Sequence, residues 1–313
     1  MSENTEQKIH DVIMIGAGPA ALSAAIYTSR EDIETLLFEK GVVGGLAAIT
    51  DKVDNYPGFP EGIEGLTLGD NLRLQAERFG AVIELGEVTS VKKDGENIKL
   101  ETTSGDMWAR AVLVGTGSSY VMLNVPGEKE FYGRGVHNCA TCDGAFYRDK
   151  RLVVVGSGNS AAQEALFLTR YATHIDILIR GEAWKASDVL IHEVEKNDKL
   201  QVHFNVTTEE IVGVDGRITK VVGKDKKSGE LKDFMTDGVF VFVGLVPVTY
   251  FLKDSGVQLD ERGFIKTDLK LQTDVAGIFA AGDVRSGATL QIASAVGEGA
   301  SAALSIREYL EAK

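Results

Sequence analysis

The 313-residue sequence lacks several features that would place it at a membrane or on nucleic acid. No apolar run approaches the roughly 20 residues of a membrane-spanning helix. Basic residues are too few to balance the acidic ones, and the net charge of −13 repels phosphate backbones and anionic lipids. The polar start "MSENTEQKIHD" has no apolar core of a signal peptide, so we expect a cytoplasmic protein. With only 5 prolines and 44% hydrophobic residues, the chain is long enough for two folded domains.

Cysteine is also scarce, and both cysteines lie in "HNCATCDG", residues 137–144. A structural disulfide is disfavoured, because a cytoplasmic location keeps thiols reduced and so short a loop constrains the unfolded chain little. A structural zinc site usually needs four ligands, one more than His137 and the cysteines supply, and the other histidines are not at ligand spacing. Those histidines are His10, His174, His192 and His203. A redox pair is the favoured interpretation, and it requires an electron source.

The segment "DVIMIGAGPAALSAAIYTSR" predicts a buried strand, a glycine turn at Gly16 and Gly18, and a helix. Such a turn lets the backbone approach a pyrophosphate at a helix N-terminus. Ala21 stands where a third glycine is common. Glu39 ends the next strand roughly 20 residues further on, the position of a carboxylate that binds a ribose 2′-hydroxyl. This first turn therefore predicts an FAD site, and the alternative is a plain βαβ unit with a surface glutamate.

The same pattern recurs in "RLVVVGSGNSAAQEALFLTR", with Gly156 and Gly158 in the turn. Here the following strand, "HIDILIR", ends at Arg180 instead of an acid. An arginine at this position accommodates a 2′-phosphate, so the second turn favours NADPH over NADH. Two dinucleotides and a cysteine pair together indicate an electron path from nicotinamide to flavin to disulfide.

A third segment completes the predicted flavin site. "VAGIFAAGDV" reads as an apolar strand ending at Gly282 and Asp283, and "LQIASAVGEGASAALSI" reads as a long helix of small residues. A carboxylate at the strand end can bind polyol hydroxyls, and a helix start can place amides at a flavin ring. Asp283 could instead be a helix-capping residue.

The order of these segments predicts one domain made from both ends of the chain with a second domain inserted in it. We expect an α/β fold of two doubly wound, Rossmann-like, three-layer ββα domains: residues 1–118 with 249–313 for FAD, and 119–248 for NAD(P)H. The crossings are placed at "GTGSSYVML" and "VGLVPVTYF". The cysteine pair lies in the inserted domain, so rotation between domains would let nicotinamide and disulfide reach the flavin alternately. "KDKKSGELKD" is read as a solvated hairpin turn.

At this point the chain resembles the low-molecular-weight, bacterial-type thioredoxin reductases over essentially its whole length. The shared motifs are "GAGPAALSAAIY", "VDNYPGFP", "CATCDG", "GSGNSA", "GIFAAGDV" and "LQIASAVGEGASAA", in the family's order. The resemblance implies a homodimer with FAD bound non-covalently, NAD(P)H as reductant, and thioredoxin or a thioredoxin-like protein as substrate.

The resemblance also implies roles for individual residues. Cys142 would face the flavin, Cys139 would exchange with thioredoxin, and Asp143 would be the general acid and base, with a helix N-cap as the alternative. The residues implied to contact the flavin nucleotide, beyond those above, are Pro19, Ala20, Gly44, Gly45, Leu46, Asn55, Gly117, Gln291 and Ile292. Those implied to contact the nicotinamide nucleotide, beyond the turn glycines and Arg180, are Asn159, Ser160, Ala161 and Lys185.

Three departures from the family pattern are visible. Leu46 stands where Gln is common and Leu290 where Arg is common, both near the flavin. In the 2′-phosphate site Arg180 persists, while Gly181 and Lys185 replace two arginines. The alternatives therefore stay open: the same fold with NADH or ferredoxin as donor, or a redox-sensing flavoprotein that acts as a binding module. The dihydrolipoamide and glutathione reductase group is disfavoured, because its cysteines follow the first glycine turn closely.

Overall fold

The computed structural model describes residues 8–50, 53 and 55–313. These residues form two compact units, one made of the chain up to residue 119 together with 246–313, the other of 120–245. The polar start discussed above, residues 1–7, and Asp54 of the "VDNYPGFP" motif lie outside the described residues.

Strands and helices alternate along most of the described chain. The strands are β1 Ile9–Ile15, β2 Thr35–Glu39, β3 Val82–Leu85, β4 Val88–Asp94, β5 Asn97–Thr102, β6 Gly105–Val114, β7 Ser118–Tyr120, β8 Val136–His137, β9 Arg151–Val155, β10 His174–Ile179, β11 Leu200–Phe204, β12 Val206–Val214, β13 Arg217–Asp225, β14 Leu231–Met235, β15 Gly238–Val241, β16 Leu245–Pro247 and β17 Ile278–Ala280. The helices are α1 Pro19–Arg30, α2 Gly45–Ala48, α3 Gly65–Arg78, α4 Glu128–Phe131, α5 Ala140–Asp143, α6 Asn159–Leu168, α7 Asp188–Glu195 and α8 Ile292–Glu311. Short 3-10 turns cover Gly144–Tyr147 and Tyr250–Leu252.

The first unit is built on a seven-stranded sheet in the order β3-β2-β1-β6-β5-β4, with β17 also paired to β6. Strand β1 is parallel to β2 and β6, whereas β4, β5 and β6 are antiparallel. Because residues 12–15 of β1 are buried on both faces of the sheet, this part of the strand is a continuous apolar run rather than an alternation. Val12 and Met14 face a cluster with α1, α3 and α8, and Ile13 and Ile15 face a second apolar cluster.

Helices α1 and α8 pack closely because small residues line their contact. A methyl group on Gly299 would lie 2.1 Å from the carbonyl oxygen of Ala20, so only glycine permits this approach. Ser23 Oγ also donates to the carbonyl of Val296 at 2.9 Å. The small-residue composition of the C-terminal helix is thereby explained by packing against the helix of the first glycine turn.

The second unit has a five-stranded parallel sheet in the order β11-β10-β9-β15-β8. One face packs on α6 through Leu152, Val154 and the odd-numbered isoleucines of β10. The other face packs on the antiparallel sheet β12-β13-β14. The unit thus has the layers helix, parallel sheet and antiparallel sheet, and the α/β, dinucleotide-binding fold expected from the sequence is confirmed.

Local differences from the sequence expectations concern segment ends. The stretch around 82–93 is two strands, β3 and β4, separated by Gly86 and Glu87. Strand β10 ends at Ile179, one residue before Arg180. Residues 181–187 form an irregular loop, so no helical turn separates Arg180 from Lys185. Among the described residues, no helix is both long enough and apolar enough to cross a bilayer.

Candidate functional site

The cysteine pair forms a disulfide between Cys139 and Cys142 in the second unit. Both residues are half-buried, and Thr141 between them is exposed. Cys139 caps helix α5, because its sulfur accepts the amide of Cys142 at 3.2 Å. The amide of Asp143 also bonds to the carbonyl of Cys139, at 3.1 Å. The motif therefore folds into a single helical turn that carries both sulfurs and ends at Asp143.

Asp143 has a partner that the sequence did not predict. Its Oδ2 lies 3.3 Å from Nδ1 of His137, and the side chains of both residues are at most 14% exposed. The other ring nitrogen of His137 bonds to the Tyr147 hydroxyl at 2.7 Å. Burial, followed by the charges of Asp143 and Asp237, raises the pKa of Tyr147, so this hydroxyl keeps its proton. The Asp143 side chain makes no capping bond to the following 3-10 turn, which argues against the capping alternative.

Glu164 supports the redox motif from helix α6. Its Oε2 accepts the amide of Ala140 at 3.1 Å, the residue that follows Cys139. Burial raises the pKa of Glu164, and the hydrogen bond from Ala140 opposes that change. This contact ties the cysteine turn to the helix that begins at the second glycine turn.

The first glycine turn has the geometry expected for a dinucleotide. Gly16 has φ +94°, and a methyl group there would lie 2.7 Å from the Gly115 carbonyl oxygen, so glycine is required. Gly18 precedes α1 without any side-chain cap, with Pro19 and Ala20 as the first helical residues. A methyl group on Gly18 would meet nothing closer than 3.9 Å. The space in front of the helix is therefore open.

Glu39 is bonded to the backbone of the site. Its Oε2 accepts the amide of Ala17 at 2.8 Å, and its Oε1 accepts the amide of Gly41 at 2.7 Å. An ionised carboxylate has about four acceptor positions, so two amides leave capacity for ribose hydroxyls. An open, shallow pocket adjoins this carboxylate. Its lining includes Lys40, Gly86, Glu87, Thr116, Val248 and Tyr250.

The other predicted flavin residues gather around the same turn. The amide of Gly44 bonds to the Ala17 carbonyl at 2.7 Å, and a methyl group on Gly45 would lie 3.3 Å from the Cα of Gly18. A methyl group on Gly282 would lie 3.0 Å from the Cβ of Ala20.

Two further pairs of predicted residues lie in the same unit. Asn55 Nδ2 donates to Gln291 Oε1 at 3.2 Å, and Ile292 begins α8 directly after Gln291. The carbonyl of Gly117 accepts the amide of Val248, which places Gly117 at the adjoining pocket. Leu46 and Leu290, the two departures from the family pattern, are each 39% exposed.

Asp283 is a carboxylate without a protein partner among the described residues. Burial, and then the charge of Glu298, raise its pKa to about 6. The helix that follows begins only at Ile292, so Asp283 does not cap it, and the capping alternative is not supported. Glu298 accepts the amide of Gly282 at 2.8 Å and forms a half-buried ion pair with Arg285. Burial of a carboxyl without a hydrogen-bond partner is unfavourable, and the hydroxyl groups of a polyol would supply such partners.

The first unit fits a flavin dinucleotide on these observations. Open space lies in front of α1, the carboxylate of Glu39 is anchored by backbone amides at the end of β2, and Asp283, after β17, has no partner among the described residues. Glu39 would hold the adenosine ribose, the amides of the turn would face the pyrophosphate, and Asp283 would bind polyol hydroxyls.

The second glycine turn repeats this geometry. A methyl group on Gly156 would lie 2.5 Å from the Phe242 carbonyl oxygen and 2.8 Å from Ala161, whereas Gly158 has nothing within 4 Å. Helix α6 begins at Asn159 without a side-chain cap, and Ser160 in its first turn is exposed. This unit therefore also offers an open helix start to a pyrophosphate.

The loop after β10 is not helical, but hydrogen bonds attach it to the second glycine turn. The amide of Lys185 bonds to the Ser157 carbonyl at 2.8 Å, and the amide of Ser187 bonds to Asn159 Oδ1 at 2.8 Å. Arg180 and Lys185 are exposed, and their charged groups contact no described residue. Two free cations beside an open helix start fit a phosphorylated nucleotide.

Glu182 does not point freely into this cationic site. It forms an exposed ion pair with Lys227 at 3.3 Å. Lys227 belongs to the β13–β14 turn that the sequence indicated as merely solvated, and the amide of its neighbour Lys226 bonds to the carbonyl of Asn205. Asn205 in turn bonds to Gly181, so the turn is attached to the nucleotide loop.

No cluster of three or more metal-ligating side chains occurs within residues 8–50, 53 and 55–313, so His137 and the cysteines are not accompanied by zinc ligands there. Sequence reasoning missed the roles of Tyr147, Glu164, Glu298 and the pocket residues around Tyr250. Each of these residues contacts a partner at least ten positions away in the sequence, which local motifs do not reveal. The sequence showed only that His137 lies just before the cysteine pair.

Comparisons with known proteins agree with this geometry. The family model of pyridine nucleotide-disulphide oxidoreductases matches residues 10–299. The chain is 42% identical to the thioredoxin reductase of Bacillus subtilis (strain 168) over 307 residues, which covers 98% of this chain and 96% of that protein. It is 39% identical to the thioredoxin reductase of Treponema pallidum, with 96% and 97% covered. The crystal structure of thioredoxin reductase from Streptococcus pyogenes matches with a TM-score of 0.91 at 36% identity, covering 97% of this chain and 99% of that one.

Proposed function

Because the chain belongs to the pyridine nucleotide-disulphide oxidoreductase family, we infer that it is a thioredoxin-disulfide reductase. The observation that carries this function is the Cys139–Cys142 disulfide with the Asp143 carboxylate beside it, in the unit that also holds the second glycine turn. A pair of sulfurs that is half-buried and adjacent to a proton carrier suits repeated opening and closing better than structural cross-linking.

We propose FAD as the flavin, held in the first unit, and NADPH as the preferred reductant, bound in the second. Bound flavin supplies the transfer of electrons from the nicotinamide to the disulfide. Glu39 and Asp283 support the first assignment, and the exposed cations Arg180 and Lys185 support the second. The family itself implies flavin and pyridine nucleotide use.

The protein's own groups then carry out thiol–disulfide exchange. In the reduced enzyme the Asp143 carboxylate takes the proton of the Cys139 thiol, and the thiolate attacks one sulfur of the thioredoxin disulfide. That attack forms a mixed disulfide, and protonated Asp143 returns its proton to the departing thioredoxin sulfur. The second thiol, Cys142, then loses its proton and attacks Cys139 as a thiolate. The Cys139–Cys142 disulfide is restored, the bond from Cys139 to thioredoxin breaks, and the released thioredoxin sulfur takes up the proton that Cys142 lost. Two electrons and two protons pass to thioredoxin in total.

Several expectations from the sequence remain proposals. The homodimer and the cytoplasmic location rest on the resemblance to bacterial-type reductases. The division of roles between the cysteines, with Cys142 facing the flavin, and the rotation between the two units also remain predictions.

Anaerobic titration of the flavoprotein with NADPH and with NADH, followed by oxidised thioredoxin, tests the function. We expect the flavin absorbance to bleach and then recover as thioredoxin thiols appear. The Cys139→Ser variant should still bleach but should produce no thioredoxin thiols. Thiol production by Cys139→Ser at the parental rate would overturn the redox-pair assignment. Bleaching by neither nucleotide would favour a ferredoxin donor, and bleaching of the parent without thioredoxin reduction would favour the sensing module.

A further inference from the structure

The contact between His137 and Asp143 is part of a connected chain of polar groups beside the disulfide. His137 Nδ1 lies 3.3 Å from Asp143 Oδ2, and His137 Nε2 lies 2.7 Å from the Tyr147 hydroxyl. The first contact has an ion-pair distance but not the geometry of a well-formed N–H···O hydrogen bond, and catalytic contacts of this kind often become aligned only when the partner is bound.

The surroundings of His137 hold its ring in place. The ring packs 5.2 Å from the ring of Phe240 and 5.4 Å from that of Tyr147, measured between centroids. Tyr147 is confined as well, because a methyl group on Gly238 would lie 2.3 Å from its ring. An imidazole that is 9% exposed and enclosed by aromatic rings has little freedom to turn away from Asp143.

The hydrogen-bonding capacities of Asp143, His137 and Tyr147 determine which group donates and which accepts. An ionised carboxylate only accepts, so a neutral His137 interacts best with it when the ring hydrogen is on Nδ1, the nitrogen nearer Asp143. Nε2 is then the acceptor, and the Tyr147 hydroxyl donates to it. Tyr147 therefore selects the tautomer that presents N–H to the carboxylate.

From this geometry we propose that His137 is a positioning residue for the exchange reaction, holding the Asp143 carboxylate toward the sulfurs while Tyr147 fixes the imidazole. The proposal rests on the proposed function, because it assigns Asp143 the proton transfer described above. With Oδ2 held by His137, the other carboxylate oxygen takes the proton from the Cys139 thiol and returns it to the departing thioredoxin sulfur. His137 itself gains and loses no proton in this step.

Variants of the full-length enzyme with its flavin bound test the proposal. The enzyme is reduced with dithiothreitol, freed of it, and mixed with oxidised thioredoxin in a single turnover, which measures exchange without nicotinamide. His137→Phe keeps an aromatic ring but removes both polar contacts, and we expect exchange to slow roughly 10–100-fold, the cost of a misplaced catalytic group. His137→Asn keeps a donor near the Nδ1 position and should recover most of that loss. Tyr147→Phe should slow exchange by less, roughly 3–10-fold, because it frees only the ring's outer nitrogen.

A double-mutant cycle separates positioning from general damage. If His137 acts through Asp143, His137→Phe combined with Asp143→Asn should be no slower than Asp143→Asn alone. Multiplicative losses would overturn the proposal, as would recovery by His137→Gln but not by His137→Asn. An unchanged rate in His137→Phe would overturn it too, provided that the parent reduces thioredoxin. A parent that reduces no thioredoxin would instead refute the proposed function.

The second unit offers a matched control in another buried histidine–aspartate pair. His203 Nε2 lies 2.7 Å from Asp176 Oδ1 on strands β11 and β10. His203→Asn should lower the melting temperature without slowing exchange beyond twofold. Equal slowing in His203→Asn and His137→Phe would show that any loss of a buried histidine impairs the unit, and the positioning role would be refuted.

Discussion

The two glycine turns share a backbone plan but differ in the side chain that ends the following strand. In the first unit, Glu39 accepts two backbone amides and so stands in a fixed position before any ligand arrives. In the second unit, Arg180 is exposed and contacts no described residue. Preorganised acceptors cost little to order on binding, whereas a long free side chain loses conformational entropy when it binds. The first turn therefore suits a nucleotide that stays bound, and the second suits one that enters and leaves in each cycle.

The segments that follow β17 and β15 also differ in charge between the two units. In the first unit β17 is followed by Asp283, a partly buried carboxyl that has no partner among the described residues. In the second unit β15 is followed by Phe242, Val243 and Gly244, none of which carries charge. The first unit thus contains a buried carboxyl, Asp283, whose ionisation destabilises the folded protein, in addition to the hydrogen-bonded Glu39. A ligand that donates hydrogen bonds to Asp283 would offset this destabilisation.

The largest expected effect comes from weakening the anchored acid. Glu39→Gln keeps the shape but loses the charge, and one backbone amide loses its acceptor. Hydrogen bonds to charged groups contribute about 1.5–3 kcal/mol, so flavin affinity should fall roughly 100-fold. Fluorescence titration of the flavin-free protein with FAD measures this. An unchanged dissociation constant would show that Glu39 does not contact the nucleotide, and the comparison between the turns would fail.

The next prediction uses alanine substitutions of Gly18 and Gly158 to distinguish effects on nucleotide binding from effects on stability. Gly18 and Gly158 both have extended backbone conformations, and an added methyl group meets nothing within 3.8 Å at either position. Gly18→Ala and Gly158→Ala should therefore change the free energy of unfolding by less than about 1 kcal/mol.

Each methyl group would still occupy the space that a pyrophosphate needs. We expect Gly18→Ala to weaken FAD binding roughly tenfold, and Gly158→Ala to raise the KM for NADPH by a similar factor. Gly16→Ala is the strained control, since its methyl group would clash with Gly115, and it should unfold more readily. If Gly18→Ala changed NADPH use while leaving flavin affinity intact, the assignment of nucleotides to units would be reversed.

A large part of this arrangement could be predicted from the sequence because local signals carry it. The glycines, the small-residue helices and the positions of Glu39 and Asp283 follow from chain geometry over short spans. The contacts of His137 with Asp143 and Tyr147 could not be predicted, because they depend on how strand β8 and two short turns meet. The backbone conformation at Lys185 could not be predicted for a related reason. Its backbone bonds to Ser157, a tertiary contact that outweighs any helical tendency of a short polar segment.

A smaller effect concerns the electrostatic cost at Asp283, whose folded pKa of about 6 lies above the ordinary value of 3.8. Because the pKa is raised, the penalty on the folded flavin-free protein is absent below about pH 4, grows as the pH rises from about 4 to about 6, and is complete above about pH 6. Asp283→Asn removes the penalty and should stabilise the flavin-free protein by about 1–2 kcal/mol at pH 7.5, while weakening flavin binding. Urea unfolding at pH 4 and pH 7.5 measures the difference. A stabilisation that is equal at both pH values would contradict the role of ionisation.

The next effect concerns nucleotide choice in the second unit. Arg180→Ala removes charge-assisted hydrogen bonds to a 2′-phosphate, each worth about 1.5–3 kcal/mol. The KM for NADPH should therefore rise roughly tenfold, and the KM for NADH should change little, because NADH has no phosphate there. Steady-state kinetics with both nucleotides measure the two constants. Equal changes in both, or faster parental turnover with NADH, would overturn the preference for NADPH.

The Glu182–Lys227 ion pair should have a smaller influence than Arg180 on the preference for NADPH over NADH. The pair is exposed, with side chains 75% and 67% exposed, and such pairs contribute little to stability. In Lys227→Ala, Glu182 loses its counter-charge and would repel a phosphate held at nearby Arg180, so the ratio of kcat/KM for NADPH over NADH should fall roughly two- to threefold. Glu182→Gln should raise the ratio by a similar factor, because it removes the repulsion. Lys220→Ala, which breaks the exposed pair with Asp233, is the control and should leave the ratio unchanged. If all three variants behave alike, the preference depends on the overall charge of the unit, and the nucleotide loop has no special part in it.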